Sequence, residues 1–205
     1  RSFLSFFVPH VIINKKRKSF EWRRNKMKIV ILGQSGSGKS TLARTIQETA
    51  KIPLLPLDFL WHGTDYSEKA QVWFQLEQEN FMAKHENWII EGNYLATARK
   101  RLQEADQIIL LRVPTYLAMA RVIKRTLKRK RDCATRPDMP NDFTEKLDKE
   151  YLDFLCFVWR FKRKNEPRIF QLIDTLQVKN KLLILDNNRD RQKYINQLKK
   201  NKPIG

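Results

Sequence analysis

From residue 27 onward, short runs of nearly unbroken apolar residues alternate with longer segments in which apolar residues return every three or four positions. The short runs are Lys28–Leu32, Ile52–Leu55, Trp88–Glu91, Gln107–Arg112 and Lys181–Leu185. They predict strands covered on both faces, as parallel strands are. The longer segments predict helices over roughly Lys39–Ala50, Glu68–His85, Leu95–Glu104 and Thr115–Arg131, with two more before the last strand. Strands alternating with helices predict a three-layer α/β fold, a doubly wound parallel sheet that binds ligands at the carboxyl ends of its strands.

The helix from Thr115 carries Tyr116, Ala120, Ile123 and Leu127 at i, i+4, i+7 and i+11, which predicts a core-facing stripe. Arg121, Arg125 and Lys128 then fall on nearly the opposite side, free to meet anions. A following helix, about Phe143 to Lys164, places Leu147, Tyr151, Phe154, Val158 and Phe161 on a second apolar face. Between them, residues Arg131 to Asn141 are rich in charge and proline and predict the exposed loop of a mobile lid.

The first predicted strand leads into Gly33-Gln34-Ser35-Gly36-Ser37-Gly38-Lys39-Ser40, and the first predicted helix follows it. In that context G-x-x-x-x-G-K-S is the signature of a nucleotide-phosphate cradle. Glycines let successive N–H groups point into one concavity, and the helix N-terminus adds partial positive charge. The expected nucleotide contacts are Gly33, Ser35, Gly36, Ser37, Gly38, Lys39, Ser40 and Thr41. Lys39 would reach the terminal phosphates and act in catalysis, and the Ser40 hydroxyl would ligate Mg²⁺.

Composition narrows the class. The 205 residues suit one domain, and 41% hydrophobic with 11% aromatic content argues for a globular chain. Cys133 and Cys156 form neither metal-ligand spacing nor a disulfide framework, which fits a reducing cytoplasm. The formal net charge is +19. Such an excess suits phosphate-bearing ligands and equally suits nucleic acid, although no DNA-reading motif is recognisable.

Residues 1–26 carry eight Lys/Arg against one Glu, leaving +12 for the rest. Their apolar stretch, Phe3 to Ile13, contains Pro9 and His10 and is too short to span a bilayer. Positive charge follows that stretch instead of preceding it, unlike a secretory signal. We expect Met27 to be the true start and residues 1–26 to be translated upstream sequence. Trp22 to Met27 is encodable by a purine-rich ribosome-binding site with two AGG arginine codons; other arginine codons would remove that support. The rival is a basic amphipathic arm for membrane or nucleic acid. The expected division is an extension at 1–26, a domain at 27–188 with its lid near 121–141, and a C-terminal helix and tail at 189–205.

These residues resemble the adenylate-kinase-like branch of P-loop kinases and, more closely, bacterial DNA topology modulation proteins. The resemblance covers about Met27 to Leu185. It rests on the phosphate loop, Trp88-Ile89-Ile90-Glu91-Gly92-Asn93-Tyr94, Ala105-Asp106-Gln107-Ile108-Ile109, Arg121-Val122-Ile123-Lys124-Arg125 and Thr135-Arg136-Pro137-Asp138. It implies a five-stranded parallel sheet in the order 2-3-1-4-5, a helical lid, ATP or another NTP, Mg²⁺ and a small-molecule phosphate acceptor. Arg121 and Arg125 match the family's R-x-x-x-R pair, of which one arginine packs near the base and the other meets phosphate. Arg136 matches a lid arginine that closes over the transferring phosphoryl group.

The chain departs from adenylate kinases after the third strand, where they carry D-G-F-P-R and this chain has Glu91-Gly92-Asn93-Tyr94. Glu91 keeps a carboxylate for a Mg²⁺-bound water, but the arginine that grips a monophosphate is missing. Leu57 to His62 lacks one as well, so AMP is not the expected acceptor; Arg99 or Arg101 is the candidate substitute. Asp58, just past the second strand, is placed to take the proton of an acceptor hydroxyl, or to bind a sugar or base, or simply to cap a helix. Trp61 and His62 read as packing and a surface imidazole. Asp186-Asn187-Asn188 reads as an adenine-edge contact or a polar turn.

The expected activity is therefore an ATP-dependent small-molecule kinase, with Lys39, Asp58, Arg125 and Arg136 in catalysis and Arg121 on the nucleotide. Asp58, Glu91 and Arg101 would face the substrate, with Ser40 and Glu91 at the metal. The expected protein is cytoplasmic, a monomer or homodimer, with no membrane partner. A nucleotide-switched regulator associated with DNA is the second reading.

Overall fold

The computed structural model describes residues 27–131 and 149–200, and side chains in the first segment up to residue 128. Five parallel strands run in the order β2-β3-β1-β4-β5: β1 Lys28–Gly33, β2 Leu54–Pro56, β3 Trp88–Glu91, β4 Gln107–Leu111 and β5 Leu182–Leu185. The expected sheet and its order are borne out. β3 and β4 are buried along their whole length, and β1 from Ile29 onward, because helices cover both faces.

Alternation along the strands sorts side chains into two layers. Val30, Leu32, Ile90, Ile108 and Leu110 face one side, packed on helices α3 (Glu68–Lys84), α4 (Ala98–Glu104) and α7 (Glu166–Thr175) through Phe74, Met82, Leu102, Ile169 and Ile173. Ile29, Ile31, Ile89, Ile109 and Leu111 face the other, packed on α1 (Lys39–Ala50) and α8 (Asn188–Lys200) through Leu42, Ile46, Tyr194 and Leu198. Each fully buried aliphatic side chain contributes about 1.5–3 kcal/mol, so these two layers hold the sheet in place.

Two local differences from expectation appear. A short helix, α2 (Leu57–His62), starts directly after β2. The segment expected to be one helix from Leu95 is a 3-10 turn, Leu95–Thr97, and then α4. Tyr94, at φ 23, turns the chain between β3 and that segment. Helix α3 begins as its sequence suggests, with the Ser67 hydroxyl accepting the Ala70 N–H at 3.1 Å.

The larger correction concerns α5 (Thr115–Arg131). Tyr116, Ile123 and Leu127, expected on the core side, are 72%, 40% and 53% exposed, and Ala120 is exposed too. The buried side is Ala118, Val122 and Thr126, with Arg121 and Arg125 half-buried beside them. α5 packs on the phosphate loop and on α6 (Lys149–Lys164), through Ala118, Val122 and Val158. A Cβ on Gly36 would lie 2.4 Å from the Ala118 carbonyl oxygen. An approach that close leaves no room for a bulky side chain at Ala118, so the large apolar residues Tyr116, Ile123 and Leu127 turn outward. In α6, Val158 and Phe161 are buried and Tyr151 and Phe154 partly so, as expected. Residues 1–26, the segment with Arg136 that was expected to form a lid, Leu147 and the residues after 200 lie outside the described residues. Among the described residues no helix is long and apolar enough to cross a membrane.

Candidate functional site

The phosphate loop joins the end of central strand β1 to the start of α1. Gly33, Gly36 and Gly38 have φ of 143, 79 and 94, which only glycine adopts without strain. Each is crowded: a Cβ on Gly33 would lie 2.4 Å from the Leu111 oxygen, and one on Gly38 would lie 3.2 Å from an Arg191 guanidinium nitrogen. The loop is closed by the Ser37 N–H donating to the Gln34 carbonyl at 3.0 Å. It is anchored from α6, where the Val158 carbonyl accepts from the Gln34 side chain at 2.6 Å. The first N–H groups of α1 have no intrahelical partners and face the loop's concavity with the positive end of the helix dipole. Within the loop, the fully buried Ser37 Oγ makes no hydrogen bond among the described residues.

Lys39 and Ser40 open α1 and meet Glu91 at the end of β3. Lys39 Nζ lies 3.6 Å from Glu91 Oε1 and 3.5 Å from the Gln34 carbonyl. Ser40 Oγ donates to Glu91 Oε2 at 3.3 Å. Strand pairing creates this cluster: Ile31 is in register with Glu91, which brings the strand end against the first turn of α1. The pair of hard oxygens on Ser40 and Glu91 fits Mg²⁺, which keeps much of its shell as water and phosphate oxygen. Among the described residues no group of three His, Cys, Asp or Glu is placed to hold a metal ion.

Just past β2, Asp58 in the first turn of α2 accepts a hydrogen bond from the Tyr94 hydroxyl at 3.0 Å. Burial, and after it the Asp58 carboxylate, pushes the Tyr94 phenol well above its ordinary pKa, so it stays a neutral donor. Trp61, Tyr66, Phe74 and Tyr94 form a connected aromatic group next to this pair, with ring centroids 4.9–6.3 Å apart. His62 pairs with the Tyr66 hydroxyl at 3.0 Å and Trp61 is packing, as expected.

Arg101 is a correction. It was expected to face the substrate, but it is fully buried beneath the loop after β3. Its guanidinium donates to the carbonyls of Asn93 (2.6 Å) and Tyr94 (3.0 Å), to Gln78 Oε1 (2.7 Å) and to Thr97 Oγ1 (3.2 Å). Burial pushes its pKa down to about 9, still above neutrality, so it is a buried cation whose two terminal nitrogens are held by oxygens, while Nε has no partner among the described residues. It props the Asn93–Tyr94 turn from behind. Arg99 is exposed on α4.

The sequence reading also passed over Asn93. Its side-chain amide donates to the Gly33 carbonyl at 2.9 Å and accepts the Gly33 N–H at 3.0 Å, which clamps the phosphate loop to the end of β3. Strand register creates the clamp: with Ile31 opposite Glu91, Gly33 falls opposite Asn93, a pairing that no local pattern in the sequence announces. On the other flank Arg121 reaches the Gly36 carbonyl at 3.4 Å, and Arg125 lies half-buried on the same inner face of α5. Asn187 is a helix cap, accepting the Asp190 N–H at 2.9 Å, so the polar-turn reading holds there. The structure thus brings the loop residues, Lys39, Ser40, Glu91 and Arg121 to one sheet edge, with the Asp58–Tyr94 pair beside it.

Solved structures share this architecture. A shikimate kinase from Acinetobacter baumannii, solved with shikimate, matches with TM-score 0.50 and 16% identity over 88% of this chain and 97% of that one. A protein from Chloroflexus aurantiacus, provisionally called a kinase, matches with TM-score 0.51 and 13% identity over 86% and 98%. The fold is that of the P-loop kinases. A gluconokinase from Sinorhizobium meliloti matches less well, with TM-score 0.48 and 17% identity over 87% and 97%. No protein-family model and no curated protein matches the chain. At these identities the P-loop kinase likeness speaks for architecture, and the chemistry has to be argued from the residues.

Proposed function

We propose that this chain is a cytoplasmic, Mg²⁺-dependent phosphotransferase that passes the terminal phosphoryl group of ATP, or another NTP, to a hydroxyl of a small molecule of the nucleoside or nucleotide kind. The observation that carries the proposal is the meeting of Lys39, Ser40 and Glu91 at the amino end of α1, inside a loop of three left-handed glycines. Bound Mg²⁺-ATP supplies the phosphoryl group and a metal to share its charge. Lys39 would serve the β and γ phosphates, and Ser40 and Glu91 would hold the ion or its water. Loop amides and Arg125 stabilise charge on the transferring group, with Arg136 of the lid closing over it. Arg121 takes the nucleoside end. Asp58 accepts the acceptor's proton while Tyr94 holds the carboxylate in place.

The test is calorimetry of the full chain with Mg²⁺-ATP, followed by a phosphate-transfer screen of nucleosides, nucleotides and sugars. Binding abolished by Lys39→Ala, together with turnover of at least one hydroxyl acceptor, supports the reading. Absence of ATP binding by the wild type, or equal turnover by the variant, overturns it.

A second reading, a nucleotide-switched protein of the DNA topology modulation kind, is favoured by the exposed run Arg160, Lys162, Arg163 and Lys164 at the end of α6. Binding to duplex DNA that falls steeply with salt and changes with ATP is its expected sign. Salt-insensitive or absent binding removes it.

A further inference from the structure

Arg191 belongs to the first turns of α8, beyond the segment whose residues suggested a nucleotide site. Its NH1 lies 3.2 Å from where a Gly38 Cβ would be, so the guanidinium rests on the bare face of the phosphate loop. NH2 donates to the Arg112 carbonyl at 3.4 Å, a long contact, and the buried Nε has no hydrogen-bond partner among the described residues. No ion pair joins Arg191 to a carboxylate among those residues, and the same holds for Arg121. Arg112, by contrast, is neutralised by Glu166 and Asp186. Burial, and after it the charge of Arg121, lowers the Arg191 pKa.

Two cations therefore sit against the same loop, half-buried and repelling each other, with no carboxylate paired to either among the described residues. Such an arrangement costs folding free energy unless a ligand supplies the missing anion or a π face. Position tells which part of the ligand. Glu91, Lys39 and Ser40 mark the metal and terminal phosphate on the β3 side of the loop. Arg191 and the Arg112 carbonyl lie on the β4–β5 side. A polyphosphate threaded through the loop directs its nucleoside end there.

We infer that Arg191 is a second nucleotide-gripping arginine, paired with Arg121 as a clasp on the α-phosphate and base of the bound nucleoside triphosphate. This inference rests on the kinase reading above. The clasp binds ground state and transition state alike, so it acts on affinity and not on phosphoryl transfer.

The experiment measures Mg²⁺-ATP and Mg²⁺-ADP affinity, steady-state kinetics and melting temperature with and without ATP, for the wild type, Arg191→Ala and Lys39→Ala. Arg191→Ala should weaken ATP and ADP by similar factors, about tenfold or more, and raise KM with kcat within about twofold, since a charge-assisted contact is lost. Without nucleotide its melting temperature should be unchanged or higher, because the Arg121–Arg191 repulsion is gone. A structural brace would instead melt lower when removed. If the wild type binds ATP and Lys39→Ala does not, while Arg191→Ala binds as tightly as the wild type, the clasp alone is overturned. If kcat falls with KM unchanged, Arg191 acts at the transferring group and the inference also fails. A wild type that binds no ATP overturns the kinase reading and the clasp together.

Discussion

Helices α1 and α5 both meet the phosphate loop, yet they bury different surfaces. α1 turns Leu42, Ala43 and Ile46 onto the sheet and keeps Lys39 at its tip beside Glu91. α5 turns Ala118, Val122 and Thr126 inward and leaves Tyr116, Ile123 and Leu127 in solvent. The difference lies in what each helix packs against. α1 covers apolar strands and can fill space with large aliphatic groups. α5 lies against the backbone of a glycine loop, where the contact distance itself excludes them. An apolar stripe therefore marks the core only when the helix's neighbour is a core.

The comparison can be broken at its chemical end first. Lys39→Ala should lower kcat/KM about a thousandfold or more while the fold survives, because charge stabilisation dominates phosphoryl transfer. Steady-state kinetics beside a melting curve checks both halves.

Next comes the contact itself. Gly36→Ala should destabilise by about 2–4 kcal/mol, since it adds a methyl 2.4 Å from the Ala118 oxygen at a φ of +79. Denaturant titration gives the value, and a loss below about 0.5 kcal/mol would mean α5 does not press on the loop.

Ala118→Leu approaches the same contact from the α5 side. Overpacking there should cost about 1–3 kcal/mol and displace Arg121, so KM for ATP should rise along with the instability. A neutral result would restore the outward stripe as the buried one. Smallest of all, Leu127→Lys and Ile123→Lys should change stability by no more than about 0.5 kcal/mol, as exposed substitutions do. Losses of 2 kcal/mol or more would show that stripe to be covered.

Arg101 and Arg191 make a second contrast. By sequence alone, Arg101 reads as the cation for an acceptor, whereas Arg191 carries no assignment. Arg101 is in fact consumed by the carbonyls of Asn93 and Tyr94, while Arg191, beside Gly38, has one long carbonyl contact and no carboxylate partner among the described residues. Residue type and spacing cannot separate the two cases, because the decision belongs to which oxygens the folded chain brings within 3 Å of a guanidinium.

What the chain's residues settled unaided was local. Glycine spacing and a lysine–serine pair between a strand and a helix defined the phosphate loop, and continuous apolar runs defined parallel strands, because both depend on neighbours in sequence. Tertiary structure alone decided which face of α5 points inward, that Asn93 clamps Gly33, and that Asp58 meets Tyr94. Those facts depend on strand register and on the closeness of one backbone to another. Such distances are fixed only when segments far apart in the chain pack together.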